Sequence, residues 1–239
     1  MDDSETGRHE LEVLDDAEAV ACRAADLVAG AIRAAAASGR ALTLAVSGGR
    51  TPWRMFALLA EGDVPWHAVS LWQVDERVAP DGDPDRNLTQ LLEALPPAAR
   101  PALHPMPVTD RDLDAAAERY AASLPARFDL VHLGLGDDGH TASLVPGDPV
   151  LEVTERDVAV TQEYRGRRRL TLTYPVLDRA REALWLVTGA DKEDALRRLL
   201  ARDPSIPAGR VRTPRSRVIA DRAALGEGPG ASSPPGGMG

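Results

Sequence analysis

Residues 41–59 read ALTLAVSGGRTPWRMFALL, and three different structural statements follow one another within them. Ala41–Val46 is a short apolar run of the kind that forms a buried strand. Ser47-Gly48-Gly49-Arg50-Thr51 is a turn, because paired glycines and a serine interrupt both helical and strand periodicity. Pro52 then suits the first turn of a helix that continues through Leu59, where its fixed φ is already helical and its missing N–H is not needed. Strand, glycine turn and helix in that order form the repeating unit of an α/β protein with a parallel sheet.

The same turn has a chemical reading. Glycines let the backbone approach a ligand closely, and free N–H groups at a helix start carry partial positive charge. It therefore either receives an anion or simply makes a tight turn. No glycine-lysine-serine/threonine ending follows, so the anion it suits is a monophosphate rather than a nucleotide triphosphate.

On either side the pattern repeats. Leu11–Leu14 is a short edge strand, and Asp15 or Asp16 caps a helix running to about Ala37, with Ala17, Val20, Ala21, Ala24, Ala25, Leu27, Val28 and Ile32 on its apolar face and Ser38-Gly39 as its stop. Val69–Val74 is a strand that runs into Asp75-Glu76-Arg77, either a solvated exit or a site, and a helix follows over Leu88–Leu95. The proline-rich stretch Pro96–Pro107 is an irregular crossover around a short strand near Leu103. Leu113–Leu124 is helical, Val158–Thr161 and Arg169–Leu172 are strands, Tyr174–Arg179 is a short helix, and Ala183–Val187 is a buried strand. Lys192 opens the amphipathic helix that ends near Leu200, where a cation opposes the helix dipole, so it is either an anion ligand or an ordinary solvated lysine. Arg217–Ala220 and Asp221–Leu225 close the pattern as strand and helix. The fold class is α/β, a three-layer α/β/α sandwich with a largely parallel, Rossmann-like sheet.

Composition bounds the rest. The chain has 239 residues, enough for one domain with a sizeable core, and its net charge of −9 disfavours nucleic acid as a partner while allowing a local cationic pocket. The domain is expected to span residues 11–225, after a mobile acidic start over residues 1–10 and before a disordered Gly/Pro/Ser tail over residues 226–239. The single cysteine, Cys22, rules out an intrachain disulfide and is expected to be buried as a small apolar side chain. No stretch reaches the roughly 18 apolar residues of a membrane helix, and the acidic N-terminus lacks the basic start of a signal peptide. These features suit the cytoplasm. Nothing in the pattern requires a second copy, and a monomer is compatible with it.

The chemistry concentrates in Phe128–Pro149, FDLVHLGLGDDGHTASLVPGDP. An apolar strand delivers glycines, aspartates and His140 into a tight loop, and ligand sites in open α/β sheets lie at such strand ends. Gly134-Leu135-Gly136-Asp137-Asp138-Gly139 has the spacing of a dinucleotide fingerprint, but two carboxylates would face the pyrophosphate and no amphipathic helix follows. No cofactor is expected. His9, His67, His104, His132 and His140 show no ligand spacing, so no metal is expected either, and His132, inside an apolar strand, reads as a satisfied core histidine.

Ser47–Pro52, Asp75-Glu76-Arg77, Asn87, Gly134–Pro146, Arg169–Thr173 and Gly189–Lys192, taken together and in order, resemble the glucosamine-6-phosphate isomerase/6-phosphogluconolactonase family from about Asp16 to Leu225. Within it the resemblance is to the lactonases rather than the deaminases. The deaminase loop reads GHIAFNEP, so its glutamate falls on Val145 here, and Arg77 stands where the deaminases usually have tyrosine. Arg50 and Val145 depart from the serine and phenylalanine common in lactonases.

The resemblance implies hydrolysis of a phosphosugar lactone, with deamination of glucosamine 6-phosphate or binding without turnover as the alternatives. On that reading His140 is the general base, Asp138 orients it, and Arg77 meets either the oxyanion or the phosphate. Asp75 either orients Arg77 or binds sugar hydroxyls. Ser47, Gly48, Gly49, Arg50, Thr51, Asn87, Arg169 and Lys192 complete the substrate site, and the glycine turn, Arg169 and Lys192 form its phosphate pocket.

Overall fold

The computed structural model describes residues 8–95 and 101–227. A seven-stranded sheet runs through it in the order β1 (His9–Leu14), β10 (Arg215–Asp221), β9 (Glu182–Val187), β6 (Leu130–Leu133), β2 (Leu42–Val46), β3 (Val69–Gln73) and β5 (Ala102–His104). Every pairing in it is parallel.

Strand alternation builds two cores from one sheet. Leu42, Leu44, Val46, Leu184, Leu186 and Ile219 face α1 (Ala17–Ala37), α2 (Arg50–Glu61) and α3 (Asn87–Ala94). Their sequence neighbours Ala45, Ala183, Trp185, Val187, Val218 and Ala220 face α4 (Leu113–Ser123), α5 (Tyr174–Arg179) and α6 (Glu193–Leu200). Asp16 caps α1, accepting from the Ala19 N–H at 2.8 Å, and Gly39, at φ 68°, follows its stop at Ser38.

The expected three-layer fold stands, with one addition. β4 (Asp75–Arg77), β8 (Arg169–Leu172) and β7 (Val158–Val160) form a separate antiparallel sheet. The three charges after β3 are therefore not a solvated exit, because β4 pairs residue by residue with β8.

Two other expectations are corrected. The mobile acidic start expected over residues 1–10 ends sooner: β1 begins at His9, whose Nδ1 lies 2.7 Å from Ser216 Oγ on β10. Cys22 is exposed, because the buried stripe of α1 passes through Val20, Ala21, Ala24 and Ala25, and position 22 turns away from it. Residues 1–7 of the expected mobile start and 228–239 of the tail expected over 226–239 lie outside the described residues, whereas Glu227, expected in that tail, accepts from Arg222 Nη1 at 2.8 Å.

His132 is buried on β6, and burial lowers its pKa from 6.5 to about 4; burial, followed by the charge of Arg202, lowers His9 equally. His132 Nδ1 accepts from the Ser47 N–H at 3.3 Å, but its Nε2 has no partner among the described residues, so the core histidine expected to be satisfied is so at one nitrogen only. Both rings fold neutral, so the unfolded chain binds more protons between about pH 4 and 6.5. Stability is then complete above the unfolded value and falls as pH drops through that window. For His132 alone the loss reaches about 3 kcal/mol. Urea midpoints should fall steadily from pH 7 to 4.5, and His132→Leu should flatten that slope; an unchanged slope would contradict the assignment.

Candidate active site

In the sheet order, chain progression leaves β2 towards β3 and β5 on one side, and β6 towards β9 and β10 on the other. The switch point lies between β2 and β6, where the diverging loops leave a crevice at the carboxyl ends of the strands. The loop after β2 carries Ser47 and Gly48, and the loop after β6 carries Gly134–His140. Between them opens a cleft of about 250 Å³ lined by Ser47, Gly48, Asp75, Arg77, Asn87, His140, Arg169 and Lys192, together with Asp137 and Arg165. Eight of the twelve residues expected from the sequence thus line one cleft.

Gly49, Arg50 and Thr51 line an adjoining cavity of about 230 Å³ instead, which shares Gly48 and Lys192 with the cleft. Arg50 is exposed, and Thr51 Oγ1 lies 3.0 Å from Thr188 Oγ1. α2 begins at Arg50, so its first turn leads away from the cleft mouth and only the glycine end of the turn remains inside it. At Gly48 an added Cβ would lie 2.0 Å from Asn87 Oδ1, so only glycine allows that approach.

Asn87 and Arg77 are set by a carboxylate to which the sequence assigned no role. Glu76 is fully buried. Its Oε1 accepts from the Arg77 and Asn87 N–H groups, each at 2.8 Å, and its Oε2 accepts from Leu88 N–H and Gln73 Nε2, also at 2.8 Å. The buried Arg86 guanidinium lies 3.6 Å away. Arg86 is the N-cap position of α3 and provides no side-chain cap, so Glu76 caps that helix from the neighbouring strand. Asn87 Oδ1 then accepts from Arg77 Nη1 at 3.0 Å, which together with Asp85 O at 2.6 Å aims the guanidinium along the cleft wall.

Asp75 does not orient Arg77. Its Oδ2 accepts from Ser143 Oγ at 2.6 Å and its Oδ1 from Asn87 Nδ2 at 3.3 Å. Pairing with β8 turns its side chain towards the Ser143 loop, and Arg169 Nη1 reaches the same hydroxyl at 3.4 Å. Burial lowers the pKa of Arg169, and the charge of Asp75 opposes that shift.

His140 is held by the residue expected to hold it. Asp138 Oδ1 lies 2.5 Å from His140 Nδ1 and accepts from the His140 N–H at 3.0 Å. Partial burial works to raise the Asp138 pKa, but these contacts and a hydrogen bond from Tyr164 outweigh it, and the carboxyl sits below its usual value. With Nδ1 engaged, Nε2 is the nitrogen left for chemistry. Gly136 makes room for the ring: a Cβ there would lie 2.0 Å from Nδ1.

Arg77, Arg165, Arg169 and Lys192 outnumber the lining carboxylates Asp75 and Asp137, so an anion is favoured in a molecule that is acidic as a whole. Lys192 is the N-cap residue of α6 rather than part of its first turn, and Asp191, 2.9 Å from its Nζ, offsets the unfavourable dipole. Asp137, Asp138 and His140 bring donor atoms within 4.8 Å of one another. That trio is already spent: Asp138 on the imidazole, and Asp137 opposite Arg165 at 3.6 Å. It is not assigned as a cation site.

The family model for glucosamine-6-phosphate isomerases/6-phosphogluconolactonase matches residues 15–220. The chain belongs to this family. Among the similar family members, the 6-phosphogluconolactonase of Synechocystis sp. is 38% identical over 195 residues, covering 74% of this chain and 80% of that protein. The 6-phosphogluconolactonase of Mycobacterium tuberculosis is 37% identical over 220 residues, covering 83% and 89%. The crystal structure of 6-phosphogluconolactonase from Leishmania guyanensis superposes with a TM-score of 0.79 at 27% identity, covering 93% of this chain and 99% of that one. The family's parallel-sheet scaffold agrees with the fold described above, and the deaminase loop position, Val145, is a buried apolar side chain here.

Sequence reasoning missed Glu76, Ser143, Tyr164 and Arg165. Glu76 stood inside a motif already singled out. Ser143 lies in the same loop as His140, and Tyr164 and Arg165 sit on a hairpin with no periodicity to mark it.

Proposed function

We propose that this chain hydrolyses 6-phospho-D-glucono-1,5-lactone to 6-phosphogluconate, the second step of the oxidative pentose phosphate pathway. The observation that carries the reading is an imidazole with its Nδ1 fixed by Asp138 at 2.5 Å, placed in a cleft lined by four cationic side chains. His140 Nε2 takes a proton from water, and the resulting hydroxide attacks the lactone carbonyl carbon. The carbonyl π electrons move onto oxygen, and the guanidinium of Arg77, held by Asn87 and Asp85, stabilises the oxyanion. Collapse of the tetrahedral intermediate breaks the bond to the ring oxygen, which takes the proton back from His140. The product is the open-chain carboxylic acid, which releases its proton to solvent to become the carboxylate. Lys192 and the glycine end of the turn before α2 hold the 6-phosphate, with Arg169 adding positive charge, and Ser47 and Asp75 bound the space for sugar hydroxyls. No step needs a metal or a cofactor. A charged phosphosugar and a chain with one cysteine suit a cytoplasmic enzyme, and a monomer carries every group named.

Lys192→Ala should raise KM for the phosphorylated lactone about 10- to 100-fold, the worth of one charge-assisted hydrogen bond, with kcat changed by only a few-fold. Steady-state kinetics on freshly prepared lactone check this, and an unchanged KM would move the phosphate elsewhere. The reaction itself is tested by comparing ester loss from that lactone with ammonia release from glucosamine 6-phosphate. Lactone turnover alone is expected. Ammonia release without lactone turnover would overturn the proposal.

A further inference from the structure

We infer that Tyr164 is a positioning residue for the Asp138–His140 pair, its hydroxyl pinning the outer oxygen of the carboxylate that holds the imidazole. The inference rests on His140 acting as the base. Asp138 Oδ1 is used twice, by the ring and by the backbone N–H of His140, while Oδ2 receives Tyr164 Oη at 3.1 Å. A carboxylate fixed through one oxygen can still rotate about its last torsion, and the second contact removes that freedom. The tyrosine ring also meets the imidazole edge-on, with centroids 5.7 Å apart and planes at 64°.

The chain around Tyr164 is built to hold it there. Tyr164 and Arg167 exchange backbone hydrogen bonds at 3.0 and 3.3 Å, closing a hairpin between β7 and β8. Its two central residues, Arg165 at φ 52° and Gly166 at φ 78°, have the paired left-handed backbone of a tight hairpin turn. Arg167 bonds Asp83 at 3.1 Å and Asp85 at 2.9 Å, tying the hairpin to the loop that also fixes Arg77. The guanidinium carbons of Arg165 and Arg169 lie 5.1 and 5.2 Å from the centre of the Tyr164 ring. Burial and the hydrogen bond to Asp138 raise the Tyr164 phenol above its ordinary value, so it remains a donor throughout the working range.

The hydroxyl should affect rate as well as position. A donor on Oδ2 spreads the carboxylate charge and weakens its pull on the proton at Nδ1. Without it the full carboxylate charge acts on that proton, and the pH profile of turnover should register the change. The other charges facing the pair are Asp137 and Arg165 beside it, Arg169 on β8, and Arg77 and Lys192 elsewhere in the cleft lining; Tyr164→Phe leaves all of them in place.

Tyr164→Phe keeps the ring and both guanidinium contacts and removes only the hydroxyl. Its kcat should fall roughly fivefold, the worth of one hydrogen bond, with KM within about twofold. The acid limb of its kcat/KM profile should move up by about half a pH unit. The downfield proton resonance of His140 Nδ1–H, identified by its loss in Asp138→Asn, should shift or broaden in the same variant. A wild-type rate profile in Tyr164→Phe, with or without a changed resonance, overturns the role. Failure of the underlying reading looks different: His140→Ala would then keep wild-type turnover. A loss of activity in Tyr164→Phe confined to a lower thermal midpoint, with profile and resonance unchanged, also overturns it.

Discussion

His140→Ala should lower kcat by roughly three orders of magnitude, within the usual range for removing a general base, while KM for the phosphorylated lactone changes little. In the proposed assignment the imidazole serves the water and the ring oxygen while Lys192 and the glycine turn serve the phosphate, so chemistry and binding should separate. Asp138→Asn should fall short of that loss. An amide presents either its oxygen or its NH₂ to Nδ1, and the second orientation selects the wrong tautomer. Steady-state kinetics over a range of pH measure both variants. A His140→Ala enzyme within tenfold of wild type would transfer the base role to another residue.

Glu76→Ala should cost about 3–5 kcal/mol of folding stability, the scale for breaking a buried, fully bonded charge. Its carboxylate accepts from the N–H groups of Arg77, Asn87 and Leu88, each at 2.8 Å, and from Gln73 Nε2. Alanine would strand these donors and leave the buried Arg86 paired with the exposed Asp81 but without the buried carboxylate. For a chain of this size each kcal/mol moves the melting midpoint by about 2–4 °C, so a fall of roughly 10 °C is expected. Glu76→Gln keeps the shape but replaces one acceptor with a donor, and should recover only part of the loss. Urea unfolding checks both, and a cost below about 1 kcal/mol for the alanine variant would show that α3 is capped another way.

Much of the sheet was legible because period-2 alternation and short apolar runs report directly on burial. Ala41–Val46 and Ala183–Val187 gave β2 and β9 nearly to the residue. The antiparallel sheet was not legible as such: Asp75-Glu76-Arg77 has the composition of a solvated exit, and only pairing with Arg169–Leu172 makes it a strand. Long-range pairing of that kind leaves no local signal. The site divides in the same way. His140, Asp138 and Lys192 belong to loops whose glycines announce them. Tyr164 depends on a hairpin register, and Gly49, Arg50 and Thr51 follow Gly48 directly in sequence, yet the start of α2 places them in the next cavity.

The most direct measurement is the rate of 6-phosphogluconolactone hydrolysis by purified, chelator-treated protein against the spontaneous rate at the same pH. If His140, Arg77 and Lys192 do what their placement supports, the treated protein opens the lactone far faster than water does and at the rate of the untreated protein. A rate no greater than the spontaneous one in both samples would contradict the lactonase reading, and a loss confined to the treated sample would contradict metal-independent catalysis.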